Sequence, residues 1–230
     1  MYIIKHGNNL NESLSEDDSV WRDELGNVYN KKRLIGVLNE AMKNIARNHI
    51  AVYNVMKHVN VEYVSSPLVR TMATDGDSIF VSPKFVHKLC ERYKGEAIKV
   101  VEFVLVHEAF HIIMNHCYEH ATSFMQFPDP TVVNMAQDYQ INYIIEKFLV
   151  GPDGSRDYEG CTNKANGLYD EKYKGKVWQK LYDEVAKEKP LSSAGVKEKT
   201  SAEWKNGFAD GYADVLNELR KQKVIEQCQI

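Results

Sequence analysis

Residues 101–114 read VEFVLVHEAFHIIM and contain the pattern HExxH at His107, Glu108 and His111. Apolar residues occupy most of the helical circumference over residues 96–116, which predicts a helix through the middle of the core. At about 100° per residue, His111 lies roughly 40° from His107 on such a helix, and Glu108 lies roughly 100° from it. The three side chains therefore share one broad sector of the helix.

This combination of residue types is typical of a zinc site. Two imidazoles one helical turn apart can bind Zn²⁺ through ring nitrogens at about 2.0–2.1 Å, and a carboxylate beside them can deprotonate a zinc-bound water. Burying two histidines and a glutamate in an apolar helix is costly unless a partner satisfies them. We therefore predict one Zn²⁺ per chain, with His107 and His111 as ligands and Glu108 as the general base.

The favoured third zinc ligand is Asp138. It lies on a predicted helix over residues 130–150 and shares one face of that helix with Ile141, Asn142 and Ile145. A carboxylate directed at apolar packing is expected of a ligand supplied by a second helix. Asn142, one turn further on, is predicted to hydrogen-bond either the ligand carboxylate or a histidine from outside the metal site.

The alternative third ligand is His116. On a continuing helix it lies about 180° from His107, because nine residues separate the two. It could bind the metal only if the helix ended near Asn115 and the chain turned back. A supporting or packing role for His116 is therefore favoured over ligation.

Four motifs occur in a fixed order: TDGDSIFVSPKFV from Thr74, VLVHEAFHIIMNH, NMAQDYQIN, and GLYDEKYKGKVWQKLYDEV from Gly167. Over residues 61–185 the chain resembles the predicted metallopeptidase domain of bacteria and phages. The resemblance implies a zincin-like fold, a metal site at the HExxH residues, and roles for the positions of His116, Asp138 and Asn142.

Two features depart from the family pattern. Many members join this domain to a C-terminal von Willebrand factor A-like domain, whereas here the domain is followed by a predicted helix with Trp204 on its apolar face. Members usually carry an arginine a few residues after the position of His116, and the segment HCYEHATSF contains none.

The expected fold class is α+β, with a small mixed or antiparallel sheet packed on helices around the central HExxH helix. We divide the chain into a flexible arm (1–30), a zincin-like domain (31–186), a linker (187–199) and a C-terminal helix (200–230). Strands are predicted over 60–66 and 78–82 as antiparallel neighbours at the sheet edge, a polar loop over 151–167, and further helices over 31–57, 83–93 and 176–187.

Charge and composition exclude several classes of protein. The chain has 29 Lys and Arg against 32 Asp and Glu, a net charge of −3, and no basic block typical of nucleic-acid or membrane binding. It shows no signal peptide and no apolar stretch of membrane-spanning length. Its four cysteines are widely spaced and form no CxxC pair, which is typical of a reducing compartment. We therefore expect a cytoplasmic protein, in a bacterial host or a phage-infected cell.

The resulting functional hypothesis is a zinc-dependent endopeptidase that cleaves a protein or peptide substrate bound along a strand edge. Its oxyanion donor is sought among nearby residues, Tyr118, His120, Tyr139 and Tyr143, without a choice between them. The alternative is a non-catalytic, metal-stabilised module that binds a partner protein. The intact Glu108 favours the enzyme. The apolar stripe of residues 200–230 is expected to pack on the domain, to form a homodimer or to bind a partner.

Overall fold

The computed structural model describes residues 3–4, 20–22, 26–66, 69–118 and 126–188, which form helices and two small sheets. This mixture confirms the α+β class. The strands are β1 (Ile3–Ile4), β2 (Val20–Arg22), β3 (Val28–Asn30), β4 (Asn60–Tyr63), β5 (Met72–Thr74) and β6 (Ser78–Val81). The α-helices are α1 (Lys31–Asn48), α2 (Ile50–Met56), α3 (Pro83–Tyr93), α4 (Ala97–Ile113), α5 (Pro130–Phe148), α6 (Cys161–Ala165) and α7 (Trp178–Glu188).

Helix α4 passes through the middle of the core, as its nearly all-round apolar character predicts. Eleven of its 17 residues are buried. Helices α1, α2 and α3 pack against it, and α5, α6 and strand β5 contact it as well. Because neighbouring elements surround it, the polar side chains of α4 must find partners inside the protein.

A single helix was predicted over residues 31–57, but the structure has two helices, α1 and α2, in this range. The prediction of a continuous helix was therefore wrong. His49 separates α1 from α2, with φ of −135° and ψ of 59°. Its imidazole Nε2 is buried and lies 2.8 Å from Asp157 Oδ2. A contact with a residue more than a hundred positions away therefore accompanies the break, and the local apolar periodicity contains no sign of it.

The larger sheet has the strand order β1-β4-β6-β5. Strands β4 and β6 are neighbours, as predicted, but they run parallel, with Asn60 opposite Ser78. The predicted antiparallel pairing was wrong because the connection between them contains β5, a three-residue strand that pairs antiparallel with β6. Strand β6 is consequently internal, and β5 is an edge among the described strands. The sheet therefore contains both parallel and antiparallel pairs, and a mixed sheet was one of the two forms expected.

Helix α5 is held between α4 and α7. Asp129 caps its N-terminus by accepting hydrogen bonds from the backbone N–H groups of Thr131 (2.9 Å) and Val132 (3.2 Å). A small cluster of buried residues joins α5 to α7 and the adjoining 3₁₀ turn: Val132, Val133, Ala136, Tyr173, Trp178, Leu181, Tyr182 and Val185. This packing fixes the face of α5 that is turned towards α4.

Two smaller differences concern the connecting and terminal segments. The predicted loop over 151–167 contains the short helix α6. Within the predicted arm, 1–30, β1 pairs with β4, and β2 pairs with β3. The other predicted features of the N-terminal arm, most of the linker (187–199) and the C-terminal helix (200–230) lie outside the described residues. No helix in the described part is long and apolar enough to cross a membrane.

Candidate metal centre

Helices α4 and α5 bring three donor atoms together. His107 Nε2 lies 3.1 Å from His111 Nε2. Asp138 Oδ1 lies 3.3 Å from the Nε2 of His107 and 3.2 Å from that of His111. These three residues form a group that could hold a metal ion, and two of the three are buried. The structure thus brings together the three residues favoured as ligands, two of them one turn apart on α4 and the third on α5.

The orientation of His107 is set by Asn142. His107 Nδ1 lies 2.8 Å from Asn142 Oδ1, while Asn142 Nδ2 donates to the backbone carbonyl of Leu168 at 2.9 Å. Because the amide N–H₂ group is engaged by that carbonyl, its oxygen faces the imidazole and accepts from Nδ1. His107 therefore presents the lone pair of Nε2 to the site. Asn142 was predicted to hydrogen-bond either the carboxylate of Asp138 or a histidine, and the structure places it against the histidine.

Gly167 allows this arrangement by lacking a side chain. A Cβ at this position would lie 2.9 Å from Thr162 Cγ2 and 3.3 Å from Asn142 Nδ2. Any side chain here would have to displace Thr162 or the amide that orients His107. The sequence reasoning singled out the motif that begins at Gly167 without finding its connection to the metal centre.

His116 contacts the far side of His111. Helix α4 ends at Ile113, and Asn115 adopts a left-handed conformation with φ of 59°, so the chain does turn back. His116 is buried, and its Nδ1 lies 3.2 Å from His111 Nδ1. The nitrogen of His111 that faces Asp138 is Nε2. His116 therefore contacts the nitrogen of His111 that points away from the three converging donor atoms.

Asn134 is a contact of Asp138 that the sequence reasoning missed. It lies one turn before Asp138 on α5, and its Nδ2 donates to Asp138 Oδ2 at 3.2 Å. The second carboxylate oxygen is thereby held while Oδ1 faces the histidines. The only signal in the sequence is the spacing of four residues, which is common to many pairs on a helix.

The chemistry of the donor set fits a cation. Burial disfavours the charged imidazole of His107, but the hydrogen bond and charge of Asp138 outweigh it and raise the pKa of His107 to about 9. Burial of Asp138 is likewise outweighed by its contacts with both histidines, which hold the pKa of its carboxyl well below its usual range. The carboxylate of Asp138 therefore favours positive charge between the two imidazoles.

The distances between the three donor atoms also fit a bound zinc ion. Tetrahedral ligands at about 2.0–2.1 Å from Zn²⁺ are separated from one another by roughly 3.3 Å. The three donor–donor distances of 3.1, 3.2 and 3.3 Å are close to this value. Three protein ligands leave the fourth position of a tetrahedral zinc ion for water or substrate, which is the pattern of catalytic zinc sites.

Glu108 lies beside the donors in a cleft of about 500 Å³. It is 8% exposed, and burial raises the pKa of its carboxyl although the two imidazoles oppose this change. A carboxyl group with a raised pKa is suited to accepting and returning a proton near neutral pH. One wall of the cleft is formed by Thr71, Met72, Ala73 and Thr74.

A cysteine also lines the cleft without joining the donor group. Burial raises the pKa of the Cys117 thiol to about 11, so it is protonated at neutral pH. Its Sγ donates to the backbone carbonyl of Thr74 at 3.8 Å and does not belong to the group of converging donor atoms.

The tyrosines considered as oxyanion donors lie elsewhere. Tyr118 is 64% exposed. The ring of Tyr139 packs against Tyr173, and that of Tyr143 packs against Phe148. None of these three tyrosines is among the described residues that line the cleft, and His120 lies outside the described part of the chain.

Comparison with known proteins gives one match. A family model described as "Putative metallopeptidase domain" matches residues 38–228. No curated protein and no solved structure shows a significant match to the chain. The matched range includes both helices of the metal centre and the whole of the cleft.

Proposed function

This chain belongs to the metallopeptidase-domain family, and we propose that it is a zinc-dependent endopeptidase with a zincin-like fold. The observation that carries the proposal is the convergence of His107, His111 and Asp138 beside the buried Glu108, in a cleft lined by strand β5, which is an edge among the described strands. A metal site of purely structural use needs neither the carboxylate nor the cleft.

In this proposal His107, His111 and Asp138 hold one Zn²⁺ per chain. When bound, the metal supplies a Lewis acid that polarises the scissile carbonyl group and lowers the pKa of a water molecule towards about 7. Glu108 would accept a proton from the attacking water as its oxygen bonds to the scissile carbonyl carbon, and would return that proton to the amine nitrogen as the C–N bond breaks. Asn142, His116 and Asn134 keep the three ligands in orientation while this proton moves.

Strand β5 is proposed to bind the substrate. The edge was expected at residues 60–66 or 78–82, but β4 and β6 are both paired on two sides. The carbonyl of Thr71 accepts from Ser82 N at 2.9 Å, and Asp75 N donates to Ser78 O at 3.3 Å. Since backbone groups alternate in direction along a strand, those of Met72 and Thr74 point away from β6, to the side on which β5 is an edge among the described strands. On that side the Met72 carbonyl accepts from Thr71 Oγ1 at 3.3 Å and the Thr74 carbonyl accepts from Cys117 Sγ at 3.8 Å, so the two N–H groups are the proposed points of pairing. An extended peptide can add there by main-chain hydrogen bonds.

Hydrogen exchange tests this docking edge. We expect a tightly bound peptide inhibitor with a zinc-binding hydroxamate group to slow exchange of the backbone amides of Met72 and Thr74 by about tenfold or more. The amide of Ala73 serves as the internal control, because it faces β6 and is already bonded within the sheet. Exchange resolved by residue in NMR spectra measures this. Equal slowing at all three amides would contradict edge pairing, since it would indicate a general stabilisation of the sheet.

The activity itself is tested by metal removal and replacement. Wild-type protein should cleave fluorescently labelled casein, lose this activity after dialysis against a chelator, and regain it with one equivalent of Zn²⁺ but not with Mg²⁺. Binding of one zinc without cleavage of casein or of a quenched peptide library would favour the alternative, a module that binds a partner protein.

The remaining parts of the proposal concern the surroundings of the enzyme. A protein or peptide is the proposed substrate, nucleic acids and membranes are not proposed as partners, and the proposed location is the cytoplasm. The proposed location is supported by the cysteines, because Cys90, Cys117 and Cys161 are free thiols in the structure, as is typical of a reducing compartment. A homodimer or partner contact through residues 200–230 stays a prediction, because that segment lies outside the described residues.

A further inference from the structure

Gln137 lies at the edge of the candidate metal centre, and the described residues offer no partner to the donor nitrogen of its amide group. It immediately precedes Asp138 on α5, it is 1% exposed, and it lines the cleft. Within the described part of the chain, Gln137 Nε2 makes no hydrogen bond. A buried donor without an acceptor reduces the stability of a protein, so its position next to a metal ligand calls for an explanation.

The other side-chain amides of α5 all make hydrogen bonds. Asn134 donates to Asp138, Asn142 bonds both His107 and Leu168, and Gln140 Oε1 accepts from a backbone N–H at 2.7 Å. At three positions, therefore, a side-chain amide of α5 is held by a hydrogen bond to a neighbouring group. Nε2 of Gln137 has no such bond within the described part of the chain.

The other unpartnered buried polar atoms of the described residues lie outside the cleft. They belong to His49, Asp157, Tyr158 and Thr162, none of which is a cleft-lining residue. His49 Nε2 and Asp157 Oδ2 lie 2.8 Å from one another, so each offers the other a partner. Among these five residues, Gln137 alone lies where a substrate can supply the missing acceptor.

We propose that the Gln137 amide is a substrate-binding group that donates a hydrogen bond to the carbonyl oxygen of the peptide bond being cleaved. This assignment rests on the proposed function. The Gln137 amide would stabilise the carbonyl oxygen as that oxygen gains negative charge during attack by water. Side-chain amides serve in this way in other acyl-transfer sites. Rotation about the last torsion of glutamine has a broad minimum, so the N–H₂ group can turn towards the cleft without breaking a bond of Nε2.

The test variant is Gln137→Met, which keeps the length of the side chain and removes its polar atoms. We expect kcat on a quenched peptide to fall by roughly 100-fold, the usual effect of losing one oxyanion donor, with a smaller change in KM. The melting temperature should stay the same or rise by about 2–4 °C, because an unpartnered buried donor is removed. A structural role for Gln137 predicts the opposite change in stability.

Gln140→Met is the matched control, since it makes the same change one turn along the same helix. It removes the acceptor of the Trp178 backbone N–H, so the melting temperature should fall, while kcat per zinc-loaded molecule should stay unchanged. Opposite signatures of the two variants in stability and in kcat would establish the assignment.

A binding measurement complements the kinetics. A phosphinic peptide, whose anionic tetrahedral phosphorus group resembles the reacting carbonyl, should bind zinc-loaded Gln137→Met roughly 10- to 100-fold more weakly than wild type in calorimetry. Equal affinity together with equal kcat would overturn the role of Gln137 and leave the peptidase proposal intact. Failure of zinc-loaded wild type both to bind this peptide and to cleave any peptide would overturn the proposed function, and with it the role of Gln137.

Discussion

Exchanging Glu108 for glutamine should lower kcat for peptide hydrolysis by roughly 10²- to 10⁴-fold, the contribution usual for a general base. The amide has nearly the same shape as the carboxylate, but it cannot accept a proton from water. Zinc content should stay near one per chain, because Glu108 does not belong to the donor group. Elemental analysis and casein or peptide cleavage on the same sample provide the two measurements.

Glu102→Gln is the matched control for this exchange. Glu102 is also a buried glutamate of α4, but it accepts a hydrogen bond from Asn44 Nδ2 at 2.6 Å and is not among the cleft-lining residues. Its exchange should leave kcat unchanged. Hydrolysis at the wild-type rate by Glu108→Gln, with zinc bound, would exclude Glu108 as the base.

The sequence was sufficient for those parts of the fold and site that depend on local spacing. The apolar circumference of α4 predicted a buried helix, and the four-residue separation of His107 and His111 placed two imidazoles on one side of it. Asp138 shares a largely apolar face of its helix with Ile141 and Ile145, which likewise pointed to this carboxylate as a partner of α4. Helical geometry fixes these relations within one or two turns, so no tertiary information is needed.

Features that depend on distant residues were not predictable in this way. The three-residue β5 is too short to show a strand pattern, and missing it led to the wrong direction for β4 and β6. The interruption of the first helix at His49 accompanies a contact with Asp157. In both cases a pairing across the fold decides the structure, and single-sequence periodicity contains no record of it.

The same division applies around the candidate metal centre. The donors themselves were inferred from residue type and helical face, whereas the Leu168 carbonyl that holds Asn142 lies 26 residues further along the chain. Gln137 and Asn134 were visible only as polar neighbours of Asp138. Residues that orient a ligand can have any polar side chain or a backbone group, so their type alone does not reveal them.

The ranking of zinc affinities among variants follows from this geometry. Asp138→Ala removes the oxygen that lies 3.2–3.3 Å from both histidine nitrogens, so zinc should fall from about one per chain to near zero after dialysis. His116→Ala removes only the partner of His111 Nδ1, and affinity should fall by the roughly 10- to 100-fold typical of an outer hydrogen-bonding residue. Competition with a zinc-binding dye, with circular dichroism to verify the fold, measures both. A larger loss in His116→Ala than in Asp138→Ala would mean that the chain turn at Asn115 serves to bring His116 onto the metal and that Asp138 supports it from outside.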